Sequence, residues 1–91
     1  MSKIIVFQNS NISGSSLTLT ASDPNLVPQG WNDKISSLIV VSGTWELYQN
    51  TKYGGSSWSV SDSGGPNGDG VYPDWSDWGG TNDSISSIRC T

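Results

Sequence analysis

The chain has 91 residues, eight acidic against four basic side chains for a formal net charge of -4, no histidine and a single cysteine. That length supports one hydrophobic core, and the lack of any basic patch argues against nucleic acid and anionic membrane surfaces as partners. A Ser-His-Asp triad is excluded for want of histidine, and the lone Cys90 leaves neither an internal disulfide nor a thiolate zinc site.

The apolar run that opens the chain is too short for a signal peptide, and no later run reaches transmembrane length. Residues 3–7 are rich in β-branched side chains and predict a strand. Gln8-Asn9-Ser10-Asn11 reads as a turn, and Ser16-Leu17-Thr18-Leu19-Thr20 then alternates polar and apolar as a half-buried strand. Asp23-Pro24-Asn25 and Pro28-Gln29-Gly30 break the chain around a loop or one short helical turn. The strand signal resumes from Lys34 to Val41, and Ser42-Gly43-Thr44 punctuates it. Trp45 to Tyr48, Ser57 to Ser61 and Ser84 to Cys90 predict three more strands, with a long Gly/Asp/Pro/Trp loop from Asp62 to Gly80. Nowhere does a 3.6-residue apolar period persist, so no long helix is predicted.

The two halves repeat one another. Phe7, Gln8, Asn9, Ile12 and Gly14 match Tyr48, Gln49, Asn50, Tyr53 and Gly55 at an offset of 41. Asn32-Asp33-Lys34-Ile35-Ser36-Ser37 matches Asn82-Asp83-Ser84-Ile85-Ser86-Ser87 at an offset of 50, so the second half carries nine extra residues, within the 62–80 loop. A repeat of about forty residues is too small to cover both faces of its own sheet, and two copies packed face to face make a sandwich.

Taken alone, Asn-Asp-x-x-Ser-Ser is a polar turn whose side chains cap their own backbone. Here it occurs twice, each time behind an aromatic-x4-aromatic-x-Gly spacing: Tyr48-(x4)-Tyr53-Gly54-Gly55, and Phe7-(x4)-Ile12-Ser13-Gly14 with Ile12 in the aromatic place. This combination resembles the βγ-crystallin family, in particular its calcium-binding microbial and invertebrate members. The resemblance implies an all-β domain over residues 1–91, with Greek-key motifs at about 3–42 and 44–91 in a sandwich of about eight strands. It also implies two Ca²⁺ ions held in a crossed arrangement. One site takes the Lys34 carbonyl, the Ser36 hydroxyl and the Asp83 carboxylate. The other takes the Ser84 carbonyl, the Ser86 hydroxyl and the Asp33 carboxylate. Gln8 and Gln49 supply a hairpin carbonyl each, in an order the sequence leaves open. Ile12 departs from the pattern and bears on the packing of the first hairpin.

The residue types suit that ion on their own terms. Ca²⁺ takes six to eight hard oxygen ligands, and one six-residue segment cannot close such a shell. With one carboxylate per site the expected dissociation constants are roughly 10⁻⁶ to 10⁻⁴ M. Asn32, Asn82, Ser37 and Ser87 are assigned to backbone hydrogen bonds, and Ile35 and Ile85 to the core. The Lys34 ammonium should face solvent and weaken its own site, which makes the site with Ser84, Ser86 and Asp33 the tighter one.

Other readings carry less. Asp62, Asp69, Asp74 and Asp77 are read as solvated loop carboxylates rather than a glycosidase pair. Asn67-Gly68-Asp69-Gly70 fails as an EF-hand-type calcium loop, because Gly65 falls at the preceding ligand position and Ser76 where the bidentate glutamate is required. Trp75 and Trp78 either cover an open end of the sandwich or offer a sugar-stacking surface, which makes a carbohydrate-binding module the alternative function. The expectation is a monomeric, non-catalytic protein.

Overall fold

The period-two runs do form strands. The computed structural model describes residues 2–23, 25–26, 30–31, 34–78 and 85–90. Its strands are β1 (Lys3–Asn9), β2 (Ser13–Leu19), β3 (Ser37–Ser42), β4 (Thr44–Asn50), β5 (Gly54–Ser61), β6 (Val71–Tyr72) and β7 (Ser87–Cys90). Short 3-10 turns lie at Thr51–Tyr53 and Trp75–Trp78, and no α-helix occurs among the described residues.

Two antiparallel sheets result, one ordered β2-β1-β3-β6 and the other β5-β4-β7. β6 belongs to the second half of the sequence yet joins the first sheet, pairing Leu38 with Tyr72 and Ile39 with Val71. The first half returns the exchange at Asp23, which forms an antiparallel bridge to Ile88 of β7. The Asp23 amide donates to the Ile88 carbonyl at 2.7 Å, and the Ile88 amide donates back at 2.9 Å. This bridge occupies the eighth strand position, so the described sandwich has seven strands and one single-residue pairing. The mutual exchange gives the two Greek keys.

Alternation decides what the sheets enclose. Ile4 and Val6 of β1, Leu38 and Val40 of β3, Trp45 and Leu47 of β4, Val60 of β5 and Ile88 of β7 are buried between them. Each such aliphatic side chain contributes about 1.5–3 kcal/mol through the area it removes from water. Leu19 of β2 and Tyr72 of β6 belong to the same cluster, and Leu26, Trp31, Ile35, Trp78 and Ile85 complete it from the connections. On the outer face of β4 and β7 the Arg89 guanidinium meets Glu46 at 3.3 Å with half of the arginine exposed. An exposed pair of this kind contributes less than about 1 kcal/mol.

Three expectations shift in detail. β2 starts at Ser13 rather than Ser16, because backbone pairing to Asn9 extends it through residues whose side chains are exposed and show no hydrophobic period. β6, only two residues long, sits inside the predicted loop 62–80. Both Trp45 and Trp58, lying on predicted strands, are expected in the core; Trp45 is fully buried there, whereas Trp58 is half-buried and packs against it.

Candidate metal centre

Each half folds its first two strands into a hairpin with the same irregularity. The β1–β2 register slips between Phe7 and Asn9, and the β4–β5 register slips between Tyr48 and Asn50. Past the slip the backbone enters the left-handed region, at Asn11 (φ 62°) and Ile12 (φ 56°), and at Lys52 (φ 58°) and Tyr53 (φ 60°). Strained conformations of this sort cost on the order of 1–3 kcal/mol per residue, most for a β-branched side chain such as Ile12. The glycine two residues on also has a positive φ, 82° at Gly14 and 72° at Gly55, which strains any side chain there. A Cβ on Gly14 would lie 2.7 Å from Asn9 Nδ2, and one on Gly55 would lie 2.7 Å from Asn50 Nδ2.

The last serine of each Asn-Asp-x-x-Ser-Ser segment holds its hairpin in this shape. The Ser37 hydroxyl donates to the Asn9 carbonyl (2.5 Å) and accepts from the Ile12 amide (3.1 Å). The Ser87 hydroxyl donates to the Asn50 carbonyl (2.6 Å) and accepts from the Tyr53 amide (3.1 Å). One residue earlier, the Ser36 amide donates to the Phe7 carbonyl and the Ser86 amide to the Tyr48 carbonyl, both at 2.9 Å. The buried polar residues among those described are these four serines, two from each copy of the motif. Ser37 and Ser87 thus bond the backbone, as the sequence suggests.

The two hydrogen-bond pairs that flank Gln8 fix its neighbourhood. Phe7 is bonded to Ser36, and Asn9 to Ser37, so Gln8 belongs with the first segment. By the same contacts Gln49, between Tyr48 and Asn50, belongs with the second. Gln8 is half-buried and Gln49 exposed, while Ser36 and Ser86 are equally buried. Lys34 is exposed, and its amide donates to the Trp31 carbonyl at 3.3 Å. Ile35 and Ile85 are fully buried in the core. The assignments of Asn32, Asp33, Asn82, Asp83 and Ser84 fall outside the described residues. Among the described residues no group of three histidine, cysteine or carboxylate side chains gathers. The polar groups described in and beside the two segments are backbone groups and hydroxyls, oxygen chemistry of the kind a hard cation takes.

The long connections cross between halves. The Leu26 amide donates to the Ser86 carbonyl and the Trp31 amide to the Leu26 carbonyl, both at 3.0 Å. The chain from the first half therefore reaches position 31 beside the second serine segment. In the other direction the Asn11 amide donates to the Pro73 carbonyl at 2.6 Å, and the Ser10 hydroxyl to Asp74 Oδ1 at 2.8 Å. Asp74 Oδ2 accepts from the Ser76 hydroxyl at 2.8 Å. These hydroxyls, Ser76 first and then Ser10, hold the Asp74 carboxyl below the usual carboxylate range. Asp74 is therefore not the freely solvated loop carboxylate read from the sequence. The signal that could have found it is the Asp-x-Ser-Asp spacing of a capped turn, in which the Asp77 carboxylate accepts from the Asp74 amide at 3.0 Å.

Both tryptophans of the long loop pack against the core. Trp78 is buried and sits 6.4 Å from the Tyr72 ring, and Trp75 is half-buried against the core. Trp78 is thus committed to the core, which favours the covering role for it over a sugar-stacking one, while Trp75 stays partly exposed. Trp78 Nε1 is the buried side-chain polar atom that finds no hydrogen-bond partner among the described residues.

Known proteins reproduce this arrangement along the whole described chain. The sequence model of the family described as Beta/Gamma crystallin matches residues 3–91. A Beta/gamma-crystallin of Ciona intestinalis is 36% identical over 89 residues, covering 98% of either chain. The solved structure of a beta gamma crystallin from Ciona intestinalis superposes with a TM-score of 0.88 at 35% identity, over 98% of this chain and 99% of that one. A betagamma-crystallin from an archaeon superposes with a TM-score of 0.81 at 35% identity, over 99% of this chain and 98% of that one. Human Beta-crystallin B2 is 33% identical over 96% of this chain, which spans 40% of that longer protein. With the repeat, the exchanged strands and the hairpin clips all in place, this chain belongs to the βγ-crystallin family.

Proposed function

We propose that this protein is a non-catalytic calcium-binding βγ-crystallin domain, with two Ca²⁺ sites shared between its halves and stability gained from the metal. The observation that carries the reading is the duplicated buried serine pair. Polar side chains are costly to bury, and here they are kept twice, at equivalent points, in segments otherwise rich in oxygen donors. The first site would use the Gln8 and Lys34 carbonyls, the Ser36 hydroxyl and the Asp83 carboxylate. The second would use the Gln49 and Ser84 carbonyls, the Ser86 hydroxyl and the Asp33 carboxylate. What supports the crossed pairing is the run from Leu26 to Trp31, which delivers the chain beside Ser86 two residues ahead of Asp33. An ion so placed ties the two halves together and favours the folded chain by mass action.

Isothermal titration with CaCl₂ tests this. Wild type should bind two ions, and Ser36→Arg and Ser86→Arg should each abolish one site by placing a cation and a long side chain where the hydroxyl stood. Absence of binding heat and of any metal-dependent change in melting would refute the reading.

A further inference from the structure

We propose that Asp74 is a positioning residue for the first site: through Ser10 it clamps the strained first hairpin and so sets the place of Gln8 and Ser36. This rests on the calcium reading above. The two hairpins share a backbone shape but are held differently. In the second, Tyr53 occupies the left-handed position, and its ring lies 5.5 Å from that of Tyr48 in an edge-on contact. In the first, Ile12 stands there, a β-branched residue at φ 56° with no ring to pair with Phe7.

The connection between β6 and β7 supplies what the aromatic pair does not. The Pro73 carbonyl takes the Asn11 amide, and the Asp74 carboxylate takes the Ser10 hydroxyl, on the two residues that precede Ile12. Ser10 is further fixed by its own carbonyl, which accepts from the Ser13 hydroxyl at 2.7 Å. Asp74 is itself immobilised. Its second oxygen holds Ser76, its amide donates to Asp77, and the Asp77 amide donates to its carbonyl at 2.9 Å. The turn so formed ends on Trp78, which is anchored in the core. An anionic acceptor roughly doubles the strength of a hydroxyl hydrogen bond. The clamp thus runs from the core, through Asp74, to Ser10. Gln8 stands two residues before Ser10, between the carbonyls that hold Ser36 and Ser37.

The test titrates CaCl₂ into the full chain with one site left at a time. In the Ser86→Arg background only the first site remains, and Asp74→Ala should weaken it about tenfold, the value of one hydrogen bond to a charged group. In the Ser36→Arg background the same substitution should change the second site by less than about twofold, since the clamp's contacts run to Ser10 and Asn11 and, among the described residues, not to Gln49 or Ser86. Ser10→Ala breaks the bridge while leaving the turn intact; it should reproduce the loss, and the double variant should be no worse than either single one. Ile12→Gly relieves the strain, and in its presence the Asp74→Ala loss should fall to about threefold or less. Equal losses at both sites, or an unchanged first site, would overturn the clamp while leaving the calcium reading intact. A wild type that binds no calcium would overturn both.

Discussion

Removing the Ser37 hydroxyl by Ser37→Ala should destabilise the fold in the absence of any metal. The side chain is fully buried and serves two backbone groups at once, accepting from the Ile12 amide and donating to the Asn9 carbonyl. Alanine fills the space of the Cβ but leaves both groups unmet in a place where the chain cannot rearrange without losing the hairpin. An unsatisfied buried group costs about 1–3 kcal/mol, and entry of water at the rim of the hairpin softens one of the two, for a total near 2–4 kcal/mol. For a domain of this size that corresponds to a fall in melting temperature of roughly 10–30 °C. Urea and thermal denaturation in excess chelator read the effect directly. Ser87→Ala should cost less, because the Tyr48–Tyr53 contact still holds the second hairpin. A loss below about 0.5 kcal/mol for Ser37→Ala would show that the hydroxyl does not secure the turn.

Wild type should melt higher in calcium than in chelator, with about 2.7 kcal/mol gained at a hundredfold excess over the dissociation constant, followed by calorimetry. Lys34→Ser should tighten the first site, by removing an exposed cation beside the proposed Ser36 ligand, with little change at the second; titration in each single-site background reports this. Trp78→Phe should change stability by less than about 1 kcal/mol, because lost ring contacts are offset by removal of an unpaired buried N–H, whereas Trp45→Phe also breaks a bond to the Ser42 carbonyl and should cost more; urea midpoints compare the two. Asp74 is held below the ordinary carboxylate range when folded, so its contribution is complete above about pH 4 and is lost as pH falls through the depressed value. The stability difference between wild type and Ser10→Ala should therefore shrink in acid, measured by urea midpoints across that range.

The fold was legible where its causes are local. Runs rich in β-branched residues marked β1 and β3, period-two alternation marked β2 and β4, and the glycines at 14 and 55, whose positive φ strains any side chain, belong to the spacing that marked the hairpins. The exchanged strands were not legible. Val71 and Tyr72 are too few to show a period, and the first half contributes Asp23, whose pairing is set by its distant partner Ile88. At the candidate site the roles of Ser37 and Ser87 were readable from the repeat, and so was the burial of Ile35 and Ile85. The role of Asp74 was not, because its partner Ser10 lies 64 residues away and only the crossing of the connections brings them together.

That crossing has a consequence for how such a protein could be assembled from pieces. Cut between β3 and β4, at Gly43, the chain becomes two fragments, each lacking the pairing residues the other carries: β6 for the first sheet, Asp23 for the second. Neither fragment closes its own sheet, and each exposes the inner face that its partner should cover. The pair should complement one another in trans, and a single repeat made alone should seek a second copy to trade segments with. The link at Gly43 turns that bimolecular association into an intramolecular one, which is what duplication within a single chain accomplishes.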